Sequence, residues 1–172
     1  MLSSAIEKYA NLFGVACGEK NVLFTNNDSA YETAISLYQK GINIEAIIDN
    51  REEIDSKLIK EAEKNNIKIY KGFTVVNTFG YKRINKISIM QLSKDGQKVV
   101  GSKISITCDC LGISGGWTPA VHLFTQSGGK LKFRDEDQVF IPDIYPSDQI
   151  SIGSCNGDFT LDEIISSVPN NC

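Results

Sequence analysis

A chain of 172 residues, 41% hydrophobic and 23% charged, has the make-up of one ordinary globular domain and is too short for two comfortable ones. Its net charge of -3, with lysines scattered as at Lys57, Lys60, Lys64 and Lys68, argues against the concentrated basic face that nucleic acid requires. No stretch approaches the roughly 18 consecutive apolar residues of a membrane helix, and Met1 to Ala10 carries Glu7 and Lys8 where a signal peptide would be apolar, so a cytoplasmic chain with no membrane partner is expected.

Ser4 to Leu12 reads as a short helix, broken by Gly14 and Gly18, and Asn21-Val22-Leu23-Phe24 as a buried strand. Asp28 or Ser29 can cap the next helix, with Glu32 placed three residues after Ser29 as in a capping box. That helix should stop at Lys40-Gly41, before a strand at Ile44 to Ile48 that ends in Asp49-Asn50-Arg51. A helix over 55–65 and a strand at Ile67 to Tyr70 complete a parallel βαβαβ unit over residues 20–71. Over 72–108 the period becomes two: Phe73 to Thr78, Ile84 to Leu92 and Val99 to Thr107 predict a three-stranded antiparallel meander, with Lys94-Asp95-Gly96-Gln97 as a hairpin turn. From 109 to 172 the expected parts are a buried strand at Cys110 to Ile113, a helical turn from Val121, and a polar stretch over 126–137. Short strands at 139–141 and 150–153 and a helix over 161–167 follow.

Three places could carry chemistry. The loop Thr25-Asn26-Asn27-Asp28-Ser29-Ala30 sits where a Rossmann turn keeps glycines so that a pyrophosphate can approach bare amides. Asparagine tolerates a left-handed turn, yet the side chains of Asn27 or Asp28 would stand where phosphate oxygens belong, and an aspartate competes for the helix dipole. Asp49 lies about 20 residues on, where an acid reaches a ribose hydroxyl and favours NAD over NADP, although Arg51 could take a 2′-phosphate. Its other reading is a surface carboxylate paired with Arg51. Ser114-Gly115-Gly116-Trp117-Thr118-Pro119 lies at the carboxyl edge of the sheet, where Gly115 and Gly116 admit a cofactor or are simply a turn beside a packed tryptophan. His122, the one histidine, is expected to be packed or hydrogen-bonded. Cys17, Cys108, Cys110, Cys155 and Cys172 form no CxxC pair, and the thiols of Cys108 and Cys110 are expected to face apart, so reduced structural thiols and no metal site are expected.

The order of parts, a βαβαβ unit, a meander, then a strand ending in Gly-Gly-x-x-Pro, resembles the pyridine-nucleotide half of the glutathione-reductase-like flavoprotein oxidoreductases. Val22 to Tyr31, Ile47 to Arg51, Ser114 to Phe124 and Gln126 to Leu131 together look like the alpha subunits of heterotetrameric sarcosine oxidases, over about residues 9–165. The resemblance implies an α/β fold: a Rossmann-like FAD/NAD(P)-binding three-layer domain with a parallel sheet, flanking helices and the inserted meander. It implies a fragment of a longer subunit, whose other lobes and sister subunits would be its partners. It further implies oxidative demethylation of sarcosine to glycine, with hydrogen peroxide formed and methylene passed to tetrahydrofolate, in a complex carrying NAD, FAD and FMN. Gly157-Asp158, within Gly153-Ser154-Cys155-Asn156-Gly157-Asp158, resembles the late segment that returns to the other lobe's dinucleotide. The cofactor residues so implied are Asn26, Asn27, Asp28, Ser29, Asp49, Gly115, Gly116, Gly157 and Asp158. No catalytic acid, base or nucleophile is assigned, and the chain alone is expected to be inactive. The alternatives are a nucleotide-free scaffold, or an alpha subunit of a related amine or imino-acid dehydrogenase.

Overall fold

A computed structural model describes residues 1–146 and 148–168, which leaves Cys172 outside the described residues. The chain divides into two compact units, Met1–Gly116 and Trp117–Cys172.

In the first unit, α1 (Ser3–Phe13) ends at Gly14, whose left-handed φ of 63° closes the helix as only glycine does without strain. There follow β1 (Asn21–Thr25), α2 (Ser29–Gln39), β2 (Ile44–Asp49), α3 (Lys57–Lys64) and β3 (Ile69–Lys71). The antiparallel strands are β4 (Phe73–Gly80), β5 (Ile84–Leu92) and β6 (Val99–Thr107), and the chain returns to the parallel sheet as β7 (Cys110–Ser114). The parallel strands lie in the order β3-β2-β1-β7, with Leu23 level with Ile47 on one side and Gly112 on the other. Two sequential βα crossovers and a return past the first strand place the switch in strand order between β1 and β7, at the carboxyl end that α/β sheets use for ligands.

Each face of this sheet is covered by a different layer, which is why its strands read as continuous apolar runs. Leu23, Ile47 and Cys110 pack with Ile6, Tyr31, Leu37, Ile59 and Ala62 from the three helices. Val22, Ala46 and Ile48 pack with Ile87, Ile89 and Cys108 from the meander side. Burial follows helical spacing on α1, where Ser3, Ile6 and Ala10 turn inward, and Lys57, Lys60, Lys64 and Lys68 are all exposed.

Several expectations need correction. No capping box forms on α2: Asp28 makes no side-chain cap, and the Ser29 amide is taken by Asn27 instead. The thiols of Cys108 and Cys110 do lie in opposite layers, but not because a strand would separate them, since residues two apart in a strand share a face. The chain leaves β6 at Thr107 and enters β7 at Cys110, and the intervening Asp109 carboxylate accepts from the amides of Glu19 and Lys20.

The second unit holds α4 (His122–Gln126), β8 (Lys130–Arg134), β9 (Val139–Ile144), a 3-10 turn at Gly153–Cys155, and α5 (Leu161–Ser167). The polar stretch therefore contains a strand, paired antiparallel with β9. Its alternation Lys130-Leu131-Lys132-Phe133-Arg134 is a half-exposed strand whose charges hide the period of two, and Phe133 meets Phe140 edge-on at 5.1 Å. No strand forms over 150–153, because Gly153 takes φ 75° and starts the 3-10 turn. Phe124 is buried against the edge of Tyr145. His122 and Trp117 are exposed rather than packed.

Candidate functional site

The carboxyl ends of β1, β2 and β7 converge on the loop that joins β1 to α2. The backbone makes the first ties: the Asn26 amide donates to the Ser114 carbonyl at 3.4 Å and the Asn50 amide to the Thr25 carbonyl at 3.0 Å. Thr25 then holds the loop from inside, since its Oγ1 donates to the Asn27 carbonyl at 2.8 Å and accepts from the Asn27 amide at 3.0 Å.

Asn27 does what the missing glycines cannot. Its Oδ1 accepts from the Ser29 amide at 3.1 Å and the Ser29 hydroxyl at 2.6 Å, and its Nδ2 donates to the Ser114 carbonyl at 3.1 Å. The Ser29 and Ser114 hydroxyls lie 3.0 Å apart and complete a polar bridge from β1 to β7. Asn26 contributes its Oδ1 as a further acceptor for Asn27.

A second bridge runs toward β2. The Asp49 side chain is wholly buried. Its Oδ1 accepts from the Arg51 amide at 2.9 Å and Nε at 3.1 Å, and its Oδ2 from Arg51 Nη2 at 2.8 Å and the Tyr31 hydroxyl at 2.9 Å. Arg51 Nη2 also reaches Asp28 at 2.8 Å. Asp49 is therefore paired with Arg51, yet it is no surface group. A buried carboxylate needs such a full set of donors, because an unpaired charge there would be prohibitive.

The electrostatics agree with that closure. Burial first, and the Asp49 charge second, push the Tyr31 hydroxyl well above the usual phenol range, so it stays a donor. For Arg51, partial burial works against the charge, but the bonds to Asp49 and Asp28 outweigh it and hold the guanidinium charged. Tyr31 is the participant outside the candidate segments, and Thr25 and Ser114 lie within them but were given no role of their own. Tyr31 stands one helical turn past Asp28 and Ser114 lies level with Thr25, and spacing alone does not mark either as a partner.

As it stands, this loop does not fit a pyrophosphate. The amide at the start of α2 is already spoken for, and Asp28 places a carboxylate at the helix entrance. The Gly115-Gly116 turn is different: a Cβ at either residue would meet nothing within 4 Å, and both are exposed. Among the described residues, the Asn50 Oδ1 is a buried acceptor with no hydrogen-bond partner, beside the same strand ends. Asn26, Asn27, Asp28, Ser29, Asp49, Gly115 and Gly116 all belong to the first unit.

Gly157 and Asp158 belong to the second unit, with a geometry of their own. Gly157 has φ 85°, and a Cβ there would stand 2.9 Å from Ile141 and 3.0 Å from Arg134. Arg134 Nη2 donates to the Gly157 carbonyl at 3.0 Å while its guanidinium grips Asp137. The Asp158 carboxylate accepts from Asn156 Nδ2 at 3.1 Å.

Comparison with known proteins gives these two units a context. No protein-family model matches the chain. The sarcosine oxidase subunit alpha of Corynebacterium sp. (strain P-1) is 31% identical over 161 residues, covering 92% of this chain and 16% of that protein. The subunit of the same name from Rhizobium meliloti (strain 1021) is 30% identical over 147 residues, covering 82% of this chain and 13% of its own length. The chain is a relative of sarcosine oxidase subunit alpha. It spans about a sixth of the length of two of the curated relatives it matches.

Among solved structures, T. acidophilum thioredoxin reductase superposes with a TM-score of 0.57 at 18% identity, over 90% of this chain and 51% of that one. L-proline dehydrogenase from P. horikoshii gives 0.53 at 20% identity, over 86% and 23%. The architecture they share with this chain is the Rossmann-like α/β type, a parallel sheet with an antiparallel meander. Among the described residues, no helix is long and apolar enough to cross a membrane.

Proposed function

We propose that this chain is the second dinucleotide-binding-type module of a flavin-dependent oxidoreductase subunit of the sarcosine oxidase alpha kind. The observation that carries this reading is the 30–31% identity to three sarcosine oxidase alpha subunits over most of the chain. The parent complex would oxidatively demethylate sarcosine to glycine in the cytoplasm, reducing oxygen to hydrogen peroxide and passing the methylene group to tetrahydrofolate. NAD, FAD and FMN are cofactors of that complex, and the partners of this chain are the other lobes and subunits of the assembly. No side chain here is assigned a catalytic role, so the isolated chain is inactive.

A second reading, a nucleotide-free scaffold, is favoured by the double bridge at the sheet mouth, where Asn27 and Arg51 occupy the ground that a pyrophosphate would need. Calorimetric titration of the chain with NAD, NADP and FAD separates the two. Sub-millimolar binding of NAD supports the nucleotide-binding module. Silence for all three supports the scaffold. Measurable sarcosine oxidation by the chain alone would overturn its inactivity.

A further inference from the structure

The two bridges account for the carboxyl end of the parallel sheet, and the opposite end presents a different chemistry. Cys110 is the first residue of β7 and is almost wholly buried, in the helix-side layer. Cys17 is half-buried in the segment that leads from α1 to β1, and it packs against that same layer.

The backbone clamps the two segments together. Asp109 accepts from the amides of Glu19 at 3.0 Å and Lys20 at 2.8 Å, and the Lys20 carbonyl accepts in return from the amides of Asp109 at 3.1 Å and Cys110 at 3.4 Å. Gly18 is pressed so closely on this site that a Cβ there would stand 2.6 Å from the Cβ of Cys110. Residue 17 is the immediate neighbour of that glycine, and its side chain packs against the same layer that holds Cys110.

Cys17 and Cys110 also line one cavity of about 350 Å³, shared with Ile84, Asp109 and Leu111. A small oxidant could therefore reach the pair without unfolding of the sheet. Cys108, two residues from Cys110, lies in the opposite layer against the meander and has no place in this cavity.

We propose that Cys17 and Cys110 are a redox pair that closes to an intramolecular disulfide on exposure to a peroxide. The step balances as two thiols and one hydrogen peroxide giving one disulfide and two waters. The more exposed Cys17 sulfur attacks the peroxide and becomes a sulfenic acid with loss of one water. The Cys110 sulfur then displaces the hydroxyl, and its proton leaves with that group as the second water. Burial first, and the neighbouring Cys17 second, push the Cys110 thiol up, which makes it the poorer attacker of peroxide and leaves that step to the more exposed Cys17. The bond would tie the α1–β1 connection to β7 across the sheet's amino end.

The test is peptide mapping of the folded chain by mass spectrometry, before and after stoichiometric hydrogen peroxide and without reductant. The expected result is a Cys17–Cys110 linked peptide that disappears on reduction, together with a rise in Tm of the oxidised protein that reductant reverses. Cys17→Ser should lose both the linked peptide and the reversible Tm shift, whereas Cys108→Ser should keep both. Because Cys17 is half exposed, its replacement leaves the core intact and keeps the comparison interpretable where Cys110→Ser would not. Stable sulfenic or sulfinic acid on Cys17 with no linked peptide, or a linkage of Cys110 to any other cysteine, overturns the proposal.

Discussion

Asp49→Ala is expected to lower the unfolding free energy by about 3 kcal/mol, the lower end of the range for breaking a buried ion pair, read as a fall in the urea midpoint at unchanged slope. The mutation removes the acceptor of four hydrogen bonds and leaves the Arg51 guanidinium and the Tyr31 hydroxyl facing a void. Arg51 keeps about a third of its side chain in solvent and can rehydrate, which is why the upper end is not reached. Asp49→Asn keeps the shape and an acceptor for Tyr31 and should recover part of the loss.

The same network carries a signature in alkali. The folded-state pKa of Tyr31 is raised, so the folded chain holds the phenol proton that the unfolded chain releases. Its contribution is complete below about pH 10, where both states are protonated, and is lost as the pH rises beyond that toward the raised folded value. Wild-type stability should therefore fall above pH 10 with a component that Tyr31→Phe lacks. If both proteins lose stability in parallel through that window, Tyr31 is not the titrating group.

Leu23→Ala is expected to cost about 2–5 kcal/mol, as for other fully buried leucines emptied to a methyl group. Leu23 is fully buried at the centre of the sheet, and Gly112 beside it is so tightly packed that a Cβ would stand 2.5 Å from Leu23 Cδ2. That close fit leaves the neighbours little room to collapse into the cavity. Ile113→Ala, one position further along β7, should cost only about 0.5 kcal/mol or less, because Ile113 is 42% exposed. Chemical denaturation of the two variants side by side reads the contrast directly. Equal losses would mean that the sheet faces are assigned wrongly.

The first unit was largely legible because its signals are local and mutually consistent. Glycine stops at Gly14 and Gly41, apolar runs at Val22 to Phe24 and Ala46 to Ile48, and alternation through Ile87 and Ile89 each specify one element. The second unit was less so, since β8 alternates charged with apolar side chains and only its pairing with β9 reveals it. The candidate site was legible in its parts and opaque in its wiring. Asp28, Asp49 and Arg51 could all be named as residues that matter near a Rossmann loop. The Asp49–Arg51 pair was readable from their closeness in sequence, but that Asp49 would be wholly buried depends on Tyr31 arriving from α2, and no local pattern contains that information. The resemblance to sarcosine oxidase alpha subunits, by contrast, rests on short motifs read in order and needed no side-chain geometry at all.

The tie from Asn27 to Ser114 has a consequence for motion. Loops at the mouth of an open α/β sheet ordinarily exchange their amide hydrogens quickly, since ligand entry requires local opening at little free-energy cost. Here the Asn27 and Ser29 amides donate to side chains of the loop itself and the Arg51 amide to a buried carboxylate, while Asn27 fastens the loop to β7. Those three amides should exchange nearly as slowly as the strands they join, so that the mouth of the sheet opens only when the sheet itself does.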